Sequence, residues 1–428
     1  MSQLVHRPCH LCEASCGLTF EVEGERILAA RNDPQDPFSR GYCCPKGLAI
    51  PAHFHDPDRL RRPLVRRGGE LVECGWEEAL EAAAEGLAGV LRRRGRHALA
   101  TYIGNPTVHN LGAMLGTEVW RRALPSRNRY TANSQDVNPH LLVNLLVFGM
   151  QLAQPVPDLE RTSYLLIVGA NPLVSNGSLM TAPGIGRRLK AIQARGGKLV
   201  VLDPRRTETA RLACEHHFVW PGQDALLLLA LAQVILAEGL EDAAFLARWG
   251  RPGVRQRLRD LLEPFTPEAA APRVGPAFTP AHLRRLAREL AQAEGAAVYA
   301  RLGPCNSAQG GLAVWATLLL NALTGNLDRV GGSLFPEGLA SWLFRLPGAR
   351  GSFDSYRSPQ GAPELNHEYP CRILADQIER GLSDPRAREA VFALVTFAGN
   401  PLLSVPNAGR LRAACERLEF QVAVDVYP

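Results

Sequence analysis

The sequence predicts an α/β chain of several domains: a small β-rich module followed by two related α/β domains of the dinucleotide-binding type, one inserted in the other. Three observations predict it. Four cysteines, Cys9, Cys12, Cys16 and Cys44, bracket a short N-terminal stretch of alternating residues. Three apolar, β-branched runs, "HALATYIGNP" (97–106), "SYLLIVGANP" (163–172) and "VFALVTFAGNP" (391–401), all end in Asn-Pro. The second and third of these runs continue into the same succession of loop, helix and strand.

The length of 428 residues suggests two to four domains, and 46% hydrophobic with 21% charged residues is ordinary for a compact chain. The densest apolar stretches, "LLVNLLVFGM" and "ALLLLALAQVILA", fall short of a membrane span of about 18 residues and read as buried helices or strands. "MSQLVHRPCH" has no apolar core region, small-residue cleavage site or twin arginine, so a cytoplasmic location is expected. The net charge of +6 is carried by arginine, the lysines being Lys46, Lys190 and Lys198. The basic runs "LRRRGR" (91–96) and "RRLK" (187–190) lie in amphipathic, helical-looking stretches and read as solvated faces, with no aromatic-interleaved patch. Nucleic acid is therefore not an expected partner.

A disulfide framework belongs to short secreted chains, which this is not. Thiolates are soft anionic ligands suited to zinc or to iron in a sulfide cluster, and spacing separates the two. Structural zinc takes two short ligand pairs, whereas here three cysteines crowd eight residues and one, twenty-eight residues beyond Cys16, closes the set. That three-plus-one supply points to a [4Fe–4S] cubane. Between them, "LTFEVEGERILAA" alternates like two short strands around the turn "EGE", followed by a Pro/Asp/Ser loop. Cys43 adjoins Cys44, and by reach alone either one serves as the fourth ligand. Lys46 stands out as a compact ammonium in an arginine-rich chain, with an ordinary surface lysine as the alternative. Cys74, Cys214, Cys305, Cys371 and Cys415 are isolated and read as small buried hydrophobes.

Each Asn-Pro run reads as a strand buried on both faces, turning sharply at its C-terminal end, the edge where open α/β sheets bind ligands. In the second run, Gly169, Asn171, Pro172 and Ser175 form the turn, a helix "GIGRRLKAIQARGG" follows, and the strand "KLVVLDP" delivers Asp203, Pro204, Arg205 and Thr207. A carboxylate at that second tip is placed for a ribose hydroxyl or purine edge. The next tip offers Gly222 and Asp224 just before a helix. The third run repeats the plan, with Gly399, Asn400 and Pro401 in the turn and Asp425 where the other has Asp203. Neither unit carries G-x-G-x-x-G, which disfavours NAD; two α/β units with ordinary turns are the structural alternative.

Together these residues resemble the molybdenum- or tungsten-containing oxidoreductases that bind bis(molybdopterin guanine dinucleotide), among them formate dehydrogenases, nitrate reductases and dimethyl sulfoxide reductase. The resemblance runs along essentially the whole chain. It is carried by "CHLCEASC" with "CCPKG", "DRLRRPLVRRGG…GWEEAL" (58–80), "GANP…SNG", "VLDPRRTETA", "PGQDA", "LLLNALTGNLDRVGG" (318–332) and "AGNPLLSVPN…FQVAVD". It implies a [4Fe–4S] cluster on Cys9, Cys12, Cys16 and Cys44, the last because the family's fourth cysteine directly precedes Pro-Lys-Gly. It places Lys46 on the electron route between cluster and pterin, and gives the two α/β units a guanine dinucleotide each. The metal's protein ligand is sought in "RYTANSQDVNPH": Asp136, as in aspartate-ligated nitrate reductases, with Ser134 or Asn138 as alternatives. The absence of cysteine there counts against a formate dehydrogenase of the usual kind. A capping or turn aspartate is the alternative for Asp136.

The resemblance implies domains at 1–57 (cluster module), at 58–130 with 337–428 (second half-site) and at 131–336 (first half-site). It also implies a C-terminal domain that the chain lacks, so that "FQVAVDVYP" is expected to be an interior strand. The expected activity is two-electron redox of a small-molecule substrate at molybdenum or tungsten, with oxygen-atom transfer the favoured reaction and electrons relayed through the cluster to a carrier protein or redox subunit. A cofactor-poor iron–sulfur electron-transfer or assembly protein, and a zinc-binding α/β scaffold, are the alternatives.

Overall fold

The computed structural model describes residues 1–124, 126–336, 350–384 and 386–428. The chain divides into two compact units, Met1–Ser134 with Ser352–Pro428, and Gln135–Gly351. The domain boundary expected after residue 336 adjoins residues 337–349, which lie outside the described residues.

The first unit opens with an antiparallel sheet of β1 (Gln3–Pro8), β2 (Gly17–Glu23) and β3 (Arg26–Asn32), in that order. The alternating stretch forms β2 and β3, and Gly24, at φ +56°, turns the chain between them. Sequence reasoning missed β1, because the strand is largely exposed and is held by backbone pairing to β2 rather than by an apolar face. Beyond the Pro/Asp/Ser loop lies the short helix α1 (Pro45–Leu48), started by a proline whose missing N–H costs nothing at that position. Helix α2 (Trp76–Arg94) ends in Arg92, Arg93 and Arg94, where cations meet the negative end of the helix dipole.

Strands β4 (Leu99–Ile103) and β5 (Arg129–Thr131) and helix α3 (Asn138–Phe148) come next. Then follow β6 (Tyr164–Val168), α4 (Pro172–Ser175), α5 (Ile185–Ala194), β7 (Lys198–Leu202) and β8 (Glu215–His217). Helices α6 (Asp224–Ala237) and α7 (Pro280–Gln292), strand β9 (Ala296–Ala300) and helix α8 (Gly310–Leu323) complete the core of the second unit. The chain returns to the first unit with β10 (Ala393–Phe397), α9 (Pro401–Ser404), α10 (Ala408–Cys415) and β11 (Phe420–Val424).

Each unit is built on a four-stranded parallel sheet, ordered β11-β10-β4-β5 in the first and β8-β7-β6-β9 in the second. Period-two alternation sends successive side chains to opposite helix layers. In the second unit Leu166, Val168, Val200 and Val298 pack with Leu227, Leu231, Leu286 and Leu320 from α6, α7 and α8, while Leu165, Ile167, Val201 and Ala297 pack with Leu189 and Ile192 of α5. The first unit does the same, with Tyr102 and Leu394 facing Ile378 and Leu411, and Leu99 and Val395 facing Leu87 and Val90. Helices on both faces explain why these strands read as continuous apolar runs rather than alternating ones.

The repeat extends to single hydrogen bonds. β6 pairs β7 with Val168 opposite Leu202, and β10 pairs β11 with Phe397 opposite Val424. One residue past each pair, the Gly169 N–H donates to the Leu202 carbonyl at 2.8 Å and the Ala398 N–H to the Val424 carbonyl at 2.8 Å. The expected interior strand β11 has β10 as its one sheet neighbour and lies at the sheet edge, half-exposed or exposed along its length. Among the described residues no helix is long and apolar enough to cross a membrane.

Candidate cofactor site

The loop between β1 and β2 carries Cys9, Cys12 and Cys16, and is closed by a hydrogen bond from the Cys9 N–H to the Cys16 carbonyl at 2.8 Å. Cys43 and Cys44 enter from the other side, Cys44 as the residue capping α1. Cys9, Cys16, Ala14, Leu18 and Ile50 form a small apolar core, with Cys12, Phe20, Tyr42 and Cys43 packed against it. Burial pushes the Cys16 thiol up to about 12, and repulsion from Cys43, Cys9, Cys12 and Cys44 adds to it. Burial likewise pushes Cys43 up to about 11, with Cys44, Cys9 and Cys12 contributing. Burial thus disfavours the thiolate at Cys9, Cys16 and Cys43, and a bound metal would supply the positive charge that favours it.

The spacing of these sulfurs tests which metal. One zinc ion holding thiolates at about 2.3 Å draws them to roughly 3.8 Å from each other. Among the described residues, the three side chains whose ligating atoms all lie within 4.8 Å of one another are Glu215, His217 and His282, and no three of the thiols meet that limit. The nest therefore suits a cluster, which holds its ligands on separate iron atoms, better than a single ion. Cys43 donates its S–H to the Cys44 carbonyl at 3.3 Å. A Cβ at position 47 would come within 2.5 Å of the Cys43 sulfur and 3.5 Å of the Cys9 sulfur, so glycine there keeps the space that the sulfurs use. Lys46 is exposed on α1; burial raises the Cys9 thiol, and the Lys46 ammonium opposes that rise.

The strand tips form the second feature. Past β6, Gly169 adopts φ +54°, and a Cβ there would lie 2.3 Å from Pro304 Cδ. Past β10 and β4, a Cβ on Gly399 would lie 2.7 Å from Gly104 Cα. In each sheet, neighbouring tips are pressed together and only glycine fits. Asn171 is spent on the fold: its Oδ1 accepts from Thr209 Oγ1 at 2.8 Å, and its amide donates to Glu208 at 2.7 Å. Pro172 is buried and Ser175 exposed on α4. Asp203 is buried, its Oδ1 accepts from the Arg205 N–H at 2.8 Å, and desolvation raises its pKa. Pro204 and Arg205 are exposed beside it, and Thr207 caps the next helix by accepting from the Ala210 N–H. Gly222, at φ +83°, brings the chain to Asp224, whose carboxyl burial pushes up to about 6, with Asp203 adding to the shift. In the first unit Asn400 Oδ1 accepts from the Leu402 N–H at 3.0 Å, Pro401 is buried, and Asp425 Oδ1 accepts from the Val426 N–H at 2.7 Å.

The metal-ligand candidates differ in how they are engaged. Ser134 Oγ donates to the Cys371 sulfur at 3.0 Å and accepts the Cys371 N–H at 3.0 Å. Asp136 Oδ1 accepts from Arg301 Nη2 at 2.7 Å; it does not cap α3, whose N-cap residue is Val137. Asn138, in the first turn of α3, has a buried Oδ1 with no hydrogen-bond partner among the described residues.

Sequence reasoning missed two residues here. Arg301 follows β9 at the sheet's C-terminal edge, is buried, and binds Ser178 Oγ and Asp136, while its Nη1 has no hydrogen-bond partner among the described residues. Its signal was a single arginine directly after "AAVYA". Glu368, within "NHEYPCRI", accepts from Thr131 Oγ1 at 2.6 Å, and desolvation pushes its carboxyl up to about 7. Nothing in its sequence context marks it. Of the isolated cysteines, Cys74, Cys305, Cys371 and Cys415 are buried as expected, but Cys214 is exposed. It directly precedes the edge strand β8, which is covered on one side only.

Comparison with known proteins places this geometry. The F420-dependent formate dehydrogenase subunit alpha of Methanocaldococcus jannaschii is 26% identical over 443 residues, covering 99% of this chain and 62% of that protein. Formate dehydrogenase H of Escherichia coli is 25% identical, covering 98% of this chain and 59% of its own length. The nitrate reductase of Symbiobacterium thermophilum is 26% identical, with 98% and 57% covered. The chain thus spans about three-fifths of the length of these relatives. The acetylene hydratase structure from Pelobacter acetylenicus superposes with a TM-score of 0.76 at 19% identity, over 98% of this chain and 60% of that one, which shows a shared fold. Residues 2–56 match the molybdopterin oxidoreductase Fe4S4 domain, and residues 59–428 match the molybdopterin oxidoreductase model. With both models covering almost all of its length, the chain belongs to the molybdopterin oxidoreductase family.

Proposed function

We propose that this chain is the cofactor-carrying part of a molybdenum- or tungsten-dependent oxidoreductase that carries out two-electron redox on a small molecule, with oxygen-atom transfer as the favoured reaction. The observation that carries it is the nest of five cysteines, Cys9 and Cys16 buried and Cys12, Cys43 and Cys44 half-buried, in a chain with two equivalent pairs of strand tips. Cys9, Cys12, Cys16 and Cys44 would hold the cluster, with Cys43 left outside it, donating its S–H to the Cys44 carbonyl. Gly169 with Asp203 and Asp224, and Gly399 with Asp425, each accept one guanine dinucleotide, their carboxylates facing ribose hydroxyls and N–H-rich base edges. Bound there, the cofactors supply the chemistry, two-electron at the metal and one-electron at the cluster.

The chain's own residues bind and orient. Lys46 lends positive charge toward Cys9 and would favour the reduced form of a cluster held there. Asp136 is the favoured oxygen ligand, a hard donor for a high-valent metal, held in place by Arg301. Formate and nitrate are the substrates that the relatives' names carry, and a small oxyanion of that class is the substrate class proposed here. A separate electron carrier or redox subunit takes the electrons.

Metal and nucleotide analysis of anaerobically purified protein tests this. The expected result is about four iron atoms per chain, molybdenum or tungsten, and guanine nucleotide released on denaturation, with Cys12→Ser losing the broad visible absorption of the cluster. Zinc bound in place of iron, with neither molybdenum nor tungsten, ends the proposal. Iron without guanine nucleotide marks an electron-transfer protein instead.

A further inference from the structure

Among the described residues, the tightest grouping of ligating side chains lies away from the thiols, at the outer edge of the second unit's sheet. Glu215 and His217 point to the same face of the edge strand β8, being two residues apart. Opposite them α7 presents His282 in its first turn, where Thr279 caps the helix by accepting the His282 N–H at 3.1 Å. His217 Nε2 is 3.0 Å from Glu215 Oε2, and the two imidazole rings meet edge to face with centroids 4.4 Å apart. One ligating atom from each of Glu215, His217 and His282 lies within 4.8 Å of the others.

The bland reading is a polar layer between helix and sheet. Much of it is that: Lys198 bridges Glu215 and Glu289, and Arg285 reaches the same two carboxylates. This network accounts for Glu215, and its two cations and two carboxylates balance. It leaves His282 unexplained. That ring stacks on Phe278 and is hydrogen-bonded to the Ala277 backbone, while its Nε2 is buried with no hydrogen-bond partner among the described residues. A buried imidazole nitrogen left unpaired costs free energy unless something occupies its lone pair.

We propose that Glu215, His217 and His282 form a second metal site, separate from the cluster, for a late first-row dication such as zinc. Two imidazoles and a carboxylate are a borderline N2O donor set that suits zinc, and three protein ligands leave the fourth corner to water. The Ala277 backbone fixes the His282 ring, and Arg285 with Lys198 fixes the carboxylate, as outer partners commonly do for metal ligands. Phe278 supplies an apolar floor. The site ties an edge strand to the helix packed against it, just upstream of the Gly222–Asp224 turn.

The test uses the purified full chain with its cluster in place, stripped of loosely held metal by a chelator and titrated with zinc chloride. The expected result is about one equivalent bound, with a nitrogen and oxygen shell and no sulfur in zinc X-ray absorption. Melting temperature should rise by roughly 2–4 °C. His217→Ala and His282→Ala should each lose the bound zinc and the rise, while their melting temperature in chelator stays near that of the parent in chelator, which shows that they fold. Zinc with a sulfur shell, no saturable binding, or binding unchanged in both variants overturns the proposal.

Discussion

Glu368 shows how one half-buried side chain writes itself into the pH dependence of the whole fold. Its carboxyl is raised from 4.5 to about 7, desolvation outweighing the opposing help from Thr131, Asn133 and Arg129. A raised acid binds its proton more tightly folded than unfolded, so it lowers stability as pH climbs from about 4.5 to 7. Asp224, raised to about 6 by burial, acts with the same sign. Glu368→Gln keeps the acceptor for Thr131 and removes the charge. Denaturant unfolding at pH 5 and pH 8 should therefore show the variant gaining on the order of 2 kcal/mol relative to the parent at the higher pH, with little difference at the lower. A variant that loses stability between those pH values as steeply as the parent would show that Glu368 titrates normally.

At the scale of elements, the two βαβ repeats solve the same crowding differently. Past β6 the close approach falls on Gly169, which also needs φ +54°; past β10 the residue in that conformation is Ala398, at φ +46°, and the crowding moves one residue on, to Gly399 against Gly104. Gly169→Ala combines a left-handed Cβ with a clash at Pro304 and should cost roughly 2–4 kcal/mol in unfolding experiments. Ala398→Gly trades relief of the same strain against unfolded-state entropy and should stay within about 1 kcal/mol. Equal effects at the two positions would break the equivalence argued from hydrogen bonds. These strands were legible because burial on both faces leaves continuous apolar runs, and their tips because Asn-Pro stops them. The strand β1 was not legible, since an exposed strand held by backbone pairing leaves no pattern of side chains. Neither were Glu368 and Arg301: such a charge is recognised by what surrounds it, and those neighbours come from distant parts of the chain.

For the whole molecule, the path of the chain decides which part can fold alone. The second unit is continuous, and its apolar clusters draw on strands and helices between Leu159 and Leu323. The first unit is split, and the division shows in its sheet, where β4 pairs with β10, a strand that arrives nearly three hundred residues later. Tyr102 and Leu99, both buried, face clusters supplied mostly by residues from Ala362 to Cys415. A fragment of residues 135–351 should then unfold cooperatively by circular dichroism, because it retains both helix layers over its sheet. Residues 1–134 alone should not, since β4 would expose the edge it pairs to β10 and, without residues 362–415, the apolar face that carries Tyr102. Co-expression of 352–428 should restore protection of 1–134 against proteolysis, while adding 135–351 in its place should not. If 1–134 proved cooperative by itself, the sheet shared between the two chain segments would not be the core of that unit, and the repeat relating β10 and β11 to β6 and β7 would lose its structural meaning.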